Sequence, residues 1–417
     1  MDIFERIKNH PGPLDIYADY GEGEYIFPVL EGEIRPRMNF KGKEMIIWSI
    51  NDYLGLANHP EVRKADADAA AKYGMAYPMG ARAMSGQTPF HTELERQLAE
   101  FVHKGSAYLL NFGYQGMLST IDALVTKNDV VVYDMDGHAC IVDGVRLHLG
   151  KRFAFRHNDI ASLEKNLQRA EKNAAETGGG ILVITEGVFG MRGEQGKLKE
   201  IIELKKKYNF RLLVDDAHGF GTLGKTGAGT GEEQGCQDGI DVYFSTFAKS
   251  MAGIGAFIAS SKEIIKFLKY NLRSQIFAKS LPMPMVFGAL KRLELLKNHP
   301  ELKDKLWHNT KRLQKGLKDR GFDLGDTNTC VTPVYMHGSP IEATLLMKDI
   351  RENYGIFTSV VVYPVIPKGM ILLRIIPTAL HSDQDIDDTL HAFESVRDKL
   401  VRGDYKKEEE NMHLNFF

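Results

Sequence analysis

The chain has 417 residues, 43% of them hydrophobic and 26% charged, and a formal net charge of −2. That is the profile of a globular protein of more than one lobe, and it gives no reason to expect nucleic acid or an anionic membrane surface as a partner. Cys140, Cys236 and Cys330 lie far apart and form no CxxC, so neither a disulfide framework nor a zinc site is expected, and no other metal is called for. The opening "MDIFERIKNHPGP" is charged and broken by proline, unlike a signal peptide. No apolar run approaches the roughly 20 residues that span a bilayer. A cytoplasmic protein is expected.

Residues 1–50 read as an N-terminal helix followed by a hairpin, "EGEIRPRMNFKGKEMIIWSI". In "HTELERQLAEFV", Leu94, Leu98, Phe101 and Val102 share one helical face. From about residue 105 short apolar runs follow: "AYLLNFG", "DVVVYD", "GGILVITEGVF", "RLLVDDAHG" and "VYFSTFAK", each ending in Gly, Asp, His or Thr. Helical periods lie between several of them, as in "IASLEKNLQRAEKN", where Ile160, Leu163 and Leu167 align. Continuous apolar strands alternating with amphipathic helices predict an α/β fold with a mainly parallel central sheet covered by helices. Ligands of such sheets bind outside the carboxyl ends of the strands, where these polar clusters fall. This large domain is expected over 51–285. After "SLPMP" a long helical region, "GALKRLELLKNHPELKDKLWHNTKRLQKGLKDRG", leads to shorter strands and "SDQDIDDTLHAFESVRDKL", a smaller C-terminal α+β domain over 286–400. Residues 401–417, "RGDYKKEEENMHLNFF", read as a mobile charged tail.

"GFGTLGKT", Gly219 to Thr226, matches the phosphate-binding pattern G-x4-G-K-T after a strand. A working loop of that kind hands directly to a helix. Here "GAGTGEEQG" follows, too rich in glycine to start one, and Asp215 and Asp216 precede it, so an NTPase is set aside. The acidic pair itself ends an all-apolar strand. Asp216 suits capping. Asp215, deep at a strand end, suits a protonated ring nitrogen that makes a cofactor an electron sink. Lys249 in "DVYFSTFAKS" reads two ways: a solvated lysine, which is the commoner fate, or an amine used as a reagent.

"DDAHG" followed by "TFAKS", with "NDYLGL" (51–56), "DMDGHACIVDG" (134–144), "TEGVFGMRG" (185–193) and "LLRIIPTALHSDQDID" (372–387), resembles the α-oxoamine synthases over roughly residues 30 to 400. These are fold-type I transferases dependent on pyridoxal 5'-phosphate (PLP), among them serine palmitoyltransferase, 8-amino-7-oxononanoate synthase and 2-amino-3-ketobutyrate CoA ligase. The resemblance implies that Lys249 holds PLP as a Schiff base and later moves the Cα proton. Thr246 and the backbone of Phe112, Gly113 and Tyr114 bind the phosphate. Asp215 pairs with the pyridine nitrogen, His218 with the phenolic oxygen, and His138 stacks on the ring. Arg374 clamps the substrate carboxylate, aided by Asn51. The family's dimer brings the segment around Lys279 and Ser280 to the neighbouring phosphate, implying a homodimer with a shared active site.

The reaction implied is decarboxylative condensation of a small amino acid with a long-chain acyl thioester, from acyl-CoA or acyl carrier protein, giving a 3-oxo sphingoid or sulfonolipid base precursor. Peripheral membrane contact through the lipid product is consistent with it. Two other reactions of the family, a 2-amino-3-ketobutyrate CoA ligase or 8-amino-7-oxononanoate synthase type, are alternatives, and an aminotransferase is a further one. A non-catalytic regulatory subunit is disfavoured by the presence of Lys249. Members commonly carry Ser or Gly where Ala248 stands, Ser where Gly190 stands, and a small residue where Lys279 stands. The lost hydroxyl and gained cation read two ways: Lys279 replaces the lost phosphate contacts, the commoner use of a lysine, or it offsets an anionic amino acid, cysteate rather than serine, with Arg82 as a second cation for its sulfonate.

Overall fold

The computed structural model describes residues 2–10, 12, 15 and 21–412, with side chains to 410. It divides into two compact units, Asn51–Leu306, and Met1–Ile50 with Trp307–Phe417. The larger unit is built on strands β1 (Ser106–Leu110), β2 (Val130–Asp134), β3 (Lys151–Phe155), β4 (Ile181–Glu186), β5 (Arg211–Asp215), β6 (Val242–Thr246) and β7 (Ala256–Ser260). They form one seven-stranded sheet in the order β1-β7-β6-β5-β4-β2-β3. β7 runs antiparallel to both neighbours, and every other pairing is parallel.

Burial explains the composition of these strands. β4, β6 and β7 are buried at every residue, as strands covered on both faces must be. Leu110, Met117, Ile121, Ile184, Leu213, Phe244 and Ile258 form the core between sheet and helices. Helix Pro89–Phe101 is capped by Thr88, whose Oγ accepts from His91 N. Helix Ile160–Thr177 is capped by Asp159. The larger unit is thus mixed α/β with a mainly parallel central sheet, as the alternation of strands and helices in the sequence implies.

Three details differ from the sequence reading. The long helical region breaks at His299: one helix is Met283–Asn298 and the next begins at Pro300, because proline cannot continue a hydrogen-bonded helix. The first of these packs on helix Pro60–Tyr73, so the larger unit runs on to Leu306. The charged C-terminal segment holds a helix, Asp404–Met412, pinned because Tyr405 is buried and its hydroxyl donates to Asp349 Oδ2 at 2.6 Å. Residues 413–417 of the expected tail lie outside the described residues.

In the smaller unit the hairpin Arg37–Phe40/Lys43–Ile47 is extended by Ile356–Phe357, parallel to its second strand. A separate antiparallel sheet has strand Leu372–Ile375 at its centre. Helices Pro340–Tyr354 and Asp383–Arg402 both start in capping boxes, at Ser339/Glu342 and Ser382/Asp385. No helix among the described residues is long and apolar enough to cross a membrane.

Candidate active site

The parallel strands β2, β4, β5 and β6 end on one edge of the sheet, and their last residues are Asp134, Glu186, Asp215 and Thr246. Glu186 is in register with Asp215. Gly187 N donates to the Asp215 carbonyl and Asp216 N to that of Phe244, both at 2.8 Å, so the polar ends are stitched together by backbone.

Lys249 lies in the tight connection from β6 to β7. Ala252 N donates to its carbonyl at 2.8 Å, and Gly253 N to that of Phe247 at 2.8 Å. Its ammonium acts on the groups around it. Burial pushes the Asp215 carboxyl up to about 6, and Lys249 pulls it the other way. Burial, with the Lys249 charge added, pushes His138 down. Glu186 is pushed up by burial and by Asp215. Asp215 also accepts from Ala217 N at 3.1 Å, which fixes its rotamer.

His138 caps helix Ala139–Leu147: its Nδ1 accepts from Cys140 N at 3.2 Å, and its own N–H donates to Glu186 Oε1 at 2.5 Å. Because Nδ1 is an acceptor, the neutral ring carries its proton on Nε2. His218 is held through Nδ1, 2.7 Å from the Tyr53 hydroxyl. A Cβ at Gly190 would lie 2.2 Å from His218 Nε2, so only glycine lets this loop approach so closely.

The residues expected to bind phosphate meet at a helix start. Phe112 is the N-cap of helix Gly113–Leu124, whose first N–H groups have no acceptor within the helix. Thr246 stands against it: a Cβ at Gly113 would lie 3.0 Å from Thr246 Oγ1. Phe112 and Tyr114 are exposed there. Asn111 Nδ2 donates to the Lys279 carbonyl at 2.5 Å, and Lys279 bridges Ala81. The Lys279 side chain is exposed, whereas Ser280 is buried with an Oγ that has no hydrogen-bond partner among the described residues.

One expectation is corrected. Arg82 does not present its guanidinium to a substrate. Its side chain is only 2% exposed, paired with Glu95 Oε1 at 2.8 Å, bonded to Gln87 Oε1 at 2.7 Å and laid over the Tyr108 ring at 4.7 Å. Asp216 caps at a distance, accepting from Thr230 N (2.8 Å), Thr230 Oγ1 (2.6 Å) and the Tyr243 hydroxyl (3.0 Å). Asn51, half-buried, opens the turn that carries Tyr53 to His218. Arg374 is half-buried on strand Leu372–Ile375 of the smaller unit, opposite Pro333 and Ser359. Tyr53 and Glu186 were not singled out from the sequence. The available signal for Glu186 was the same as for Asp215: an acid ending an all-apolar strand. Among the described residues no three His, Cys, Asp or Glu side chains come together to hold a metal ion.

A half-buried lysine, a buried carboxylate beside it and a helix-start cradle that a glycine Cβ would crowd together fit PLP. The chain matches the family model "Aminotransferase class I and II" over residues 43–393. It is 69% identical over 405 residues to a cysteate-C-fatty acyltransferase of Capnocytophaga ochracea, covering 97% of this chain and 96% of that protein. It is 34% identical over 361 residues to a serine palmitoyltransferase of Sphingobacterium spiritivorum, covering 87% of each. The structure superposes with a TM-score of 0.88, at 29% identity, on a serine palmitoyltransferase variant from S. paucimobilis with bound PLP–myriocin aldimine, covering 95% of this chain and 98% of that one. The chain belongs to the α-oxoamine synthase family. As a member it is a PLP-dependent C-acyltransferase that condenses an amino acid with an acyl thioester and releases carbon dioxide.

Proposed function

We propose that this α-oxoamine synthase takes cysteate as its amino acid and a long-chain acyl thioester as its donor, producing a 3-oxo sulfonolipid base precursor. The observation that carries this is the 69% identity, over nearly the whole length, to a cysteate-C-fatty acyltransferase. The substrate's Cα loses its proton, bonds the acyl carbonyl carbon as the thiol leaves, then sheds its carboxylate as carbon dioxide and is reprotonated. When bound, PLP supplies a ring that accepts negative charge from Cα.

The chain's own residues do the rest. Lys249 would hold the cofactor by its amine and, when that amine is free, move the Cα proton. Asp215 would keep the ring nitrogen protonated, and its burial would make that charge pairing strong. His138, neutral with a proton on Nε2, would stack on the ring, and His218 would pair with the phenolic oxygen. Thr246 and the N–H groups after Phe112, with Ser280 of the segment that reaches across the dimer, would hold the phosphate. Arg374 and Asn51 take the substrate carboxylate, so that geometry about Cα selects which bond breaks. Lys279 is the cation beside the sulfonate: its backbone is fastened by Asn111 and Ala81, and its side chain stays free to reach.

A homodimer with a shared site belongs to this reading, the 279–280 segment reaching the neighbouring site with Ser280 for its phosphate and Lys279 for the sulfonate. Met79, Met84, Phe112 and Phe277 are large apolar side chains left exposed on the single chain, which a dimer contact would cover. A cytoplasmic location accords with three free cysteines.

The test compares kcat/KM for L-cysteate, L-serine, glycine and L-alanine with one long-chain donor. Cysteate should lead, and Lys279→Ala should cut its value about 10- to 100-fold, the worth of one charge-assisted contact, while leaving the others within a few-fold. Serine leading in wild type would overturn the substrate assignment. An equal loss for every amino acid would move Lys279 to the cofactor phosphate.

A further inference from the structure

His157 plays no part in the chemistry above, yet it sits in a cluster of charged groups beside the site. Its side chain is 11% exposed, and both ring nitrogens face carboxylates: Nδ1 is 3.1 Å from Asp134 Oδ1, Nε2 3.1 Å from Glu194 Oε2. Two acceptors, one at each nitrogen, require both nitrogens to donate, which only the imidazolium can do. The other charges facing it come from Arg192, 4.0 Å from Glu194 and ion-paired to Asp136. Its ring also meets Phe189 edge-on, with centroids 4.3 Å apart.

The carboxylates belong to different arms of the site. Asp134 ends β2 and shapes the turn to His138: its Oδ1 accepts from Asp136 N at 2.9 Å and its carbonyl from Gly137 N at 3.1 Å. Glu194 closes the turn after β4, where Phe189 N donates to its carbonyl at 2.9 Å, and that turn carries Gly190 against His218. His157 itself follows β3. Thus one ring joins the loop of the stacking histidine to the loop that confines His218.

We propose that His157, as an imidazolium bridging Asp134 and Glu194, is a positioning residue that locks the Gly190 loop to the His138 turn and so sets the shape of the cofactor site. It never touches substrate. Its proton is the fastener: burial opposes the charge, but the bonds to Asp134 and Glu194 outweigh it and raise the pKa to about 9. The lock therefore holds at neutral pH and opens on the alkaline side. The inference rests on reading His138 and His218 as cofactor contacts, and its test involves no amino acid, so a wrong substrate assignment leaves it standing.

The experiment measures the PLP dissociation constant of wild type and His157→Gln, reconstituted at several pH values from 7 to 10. Gln offers a donor to one carboxylate and a carbonyl to the other, so the bridge is lost at every pH. The ratio of the two constants cancels titrations common to both proteins. It should be about tenfold at pH 7.5 and fall towards one at pH 10, where wild type has lost its own bridge. A ratio that is near one at pH 7.5, or that is large and independent of pH, would overturn the proposal. If His157→Gln does not fold, Glu194→Gln serves instead: with one carboxylate gone, the alkaline weakening of PLP binding should move about one pH unit lower. An unmoved limb would overturn the proposal equally.

Discussion

Truncating Arg82 to alanine distinguishes a structural cation from a substrate cation. The Arg82 side chain is 2% exposed and that of Glu95 12%, with 2.8 Å between their nearest atoms. Removing the guanidinium leaves Glu95 in a site whose burial already pushes its carboxyl up, with Arg82 as the main opposing charge. Breaking a buried pair on one side costs about 3–5 kcal/mol. The lost contact with the Tyr108 face, 4.7 Å away, adds to this. At about 2–4 °C per kcal/mol for a unit of this size, Tm should fall by about 10 °C. Arg82→Met combined with Glu95→Gln removes both charges and keeps an acceptor for Leu109 N, which donates to Glu95 at 2.9 Å. It should recover more than half of the loss. Thermal unfolding measures this, and kcat/KM for cysteate and glycine is read on the same proteins. Both substrates should suffer alike. An unchanged Tm with a loss confined to cysteate would refute the reasoning and return Arg82 to the substrate.

Asp215→Asn should lower turnover about a hundredfold or more, the cost of breaking a buried charge pair, while retaining bound PLP. The same change should raise Tm of the cofactor-free protein at pH 8. Because the carboxyl is raised from 3.8 to about 6, ionising it in the fold takes stability away as pH rises through that window. Gly113→Val should weaken PLP binding more than about tenfold, since even a Cβ would lie 3.0 Å from Thr246 Oγ1; spectrophotometric titration measures it. For His157, raised from 6.5 to about 9, the stabilisation is complete below about 6.5 and is lost as pH rises through about 9. Denaturant unfolding of wild type should then lose up to about 3 kcal/mol across that interval, and His157→Gln should lose none of it.

Much of the fold was legible because apolar runs such as "ILVITE" and "LLVD" are buried throughout and end in acids. β3 was not legible: of "KRFAF" only Phe155 is buried, so an edge strand leaves neither a run nor a clean alternation. The reversal of β7 was hidden too, since it depends on the tight turn around Lys249 to Gly255, where Ala252 adopts φ 42°. Lys249 and Asp215 could be singled out because each stands at or just past the end of a single strand, whereas His218 came only with the family resemblance. Arg82 could not, because its fate depends on Glu95 and Tyr108, which only the folded chain brings to it. His157, Asp134 and Glu194 come from three separate segments, and no spacing in the sequence announces their meeting. The pattern "GFGTLGKT" proved to be turns with Gly224 at φ 82°, whereas "GAGTGEEQG", expected to start no helix, does start a four-residue one, Thr230–Glu233.

The most direct measurement is product analysis with purified wild type and Lys249→Ala, each given PLP, L-cysteate and a long-chain acyl thioester. Wild type should release carbon dioxide and free thiol in equal amounts and form the 3-oxo sulfonate amine, seen by mass spectrometry. Borohydride reduction should fix the cofactor on Lys249, and Lys249→Ala should form no product. Turnover by Lys249→Ala, or thiol release by wild type without carbon dioxide, would contradict the account.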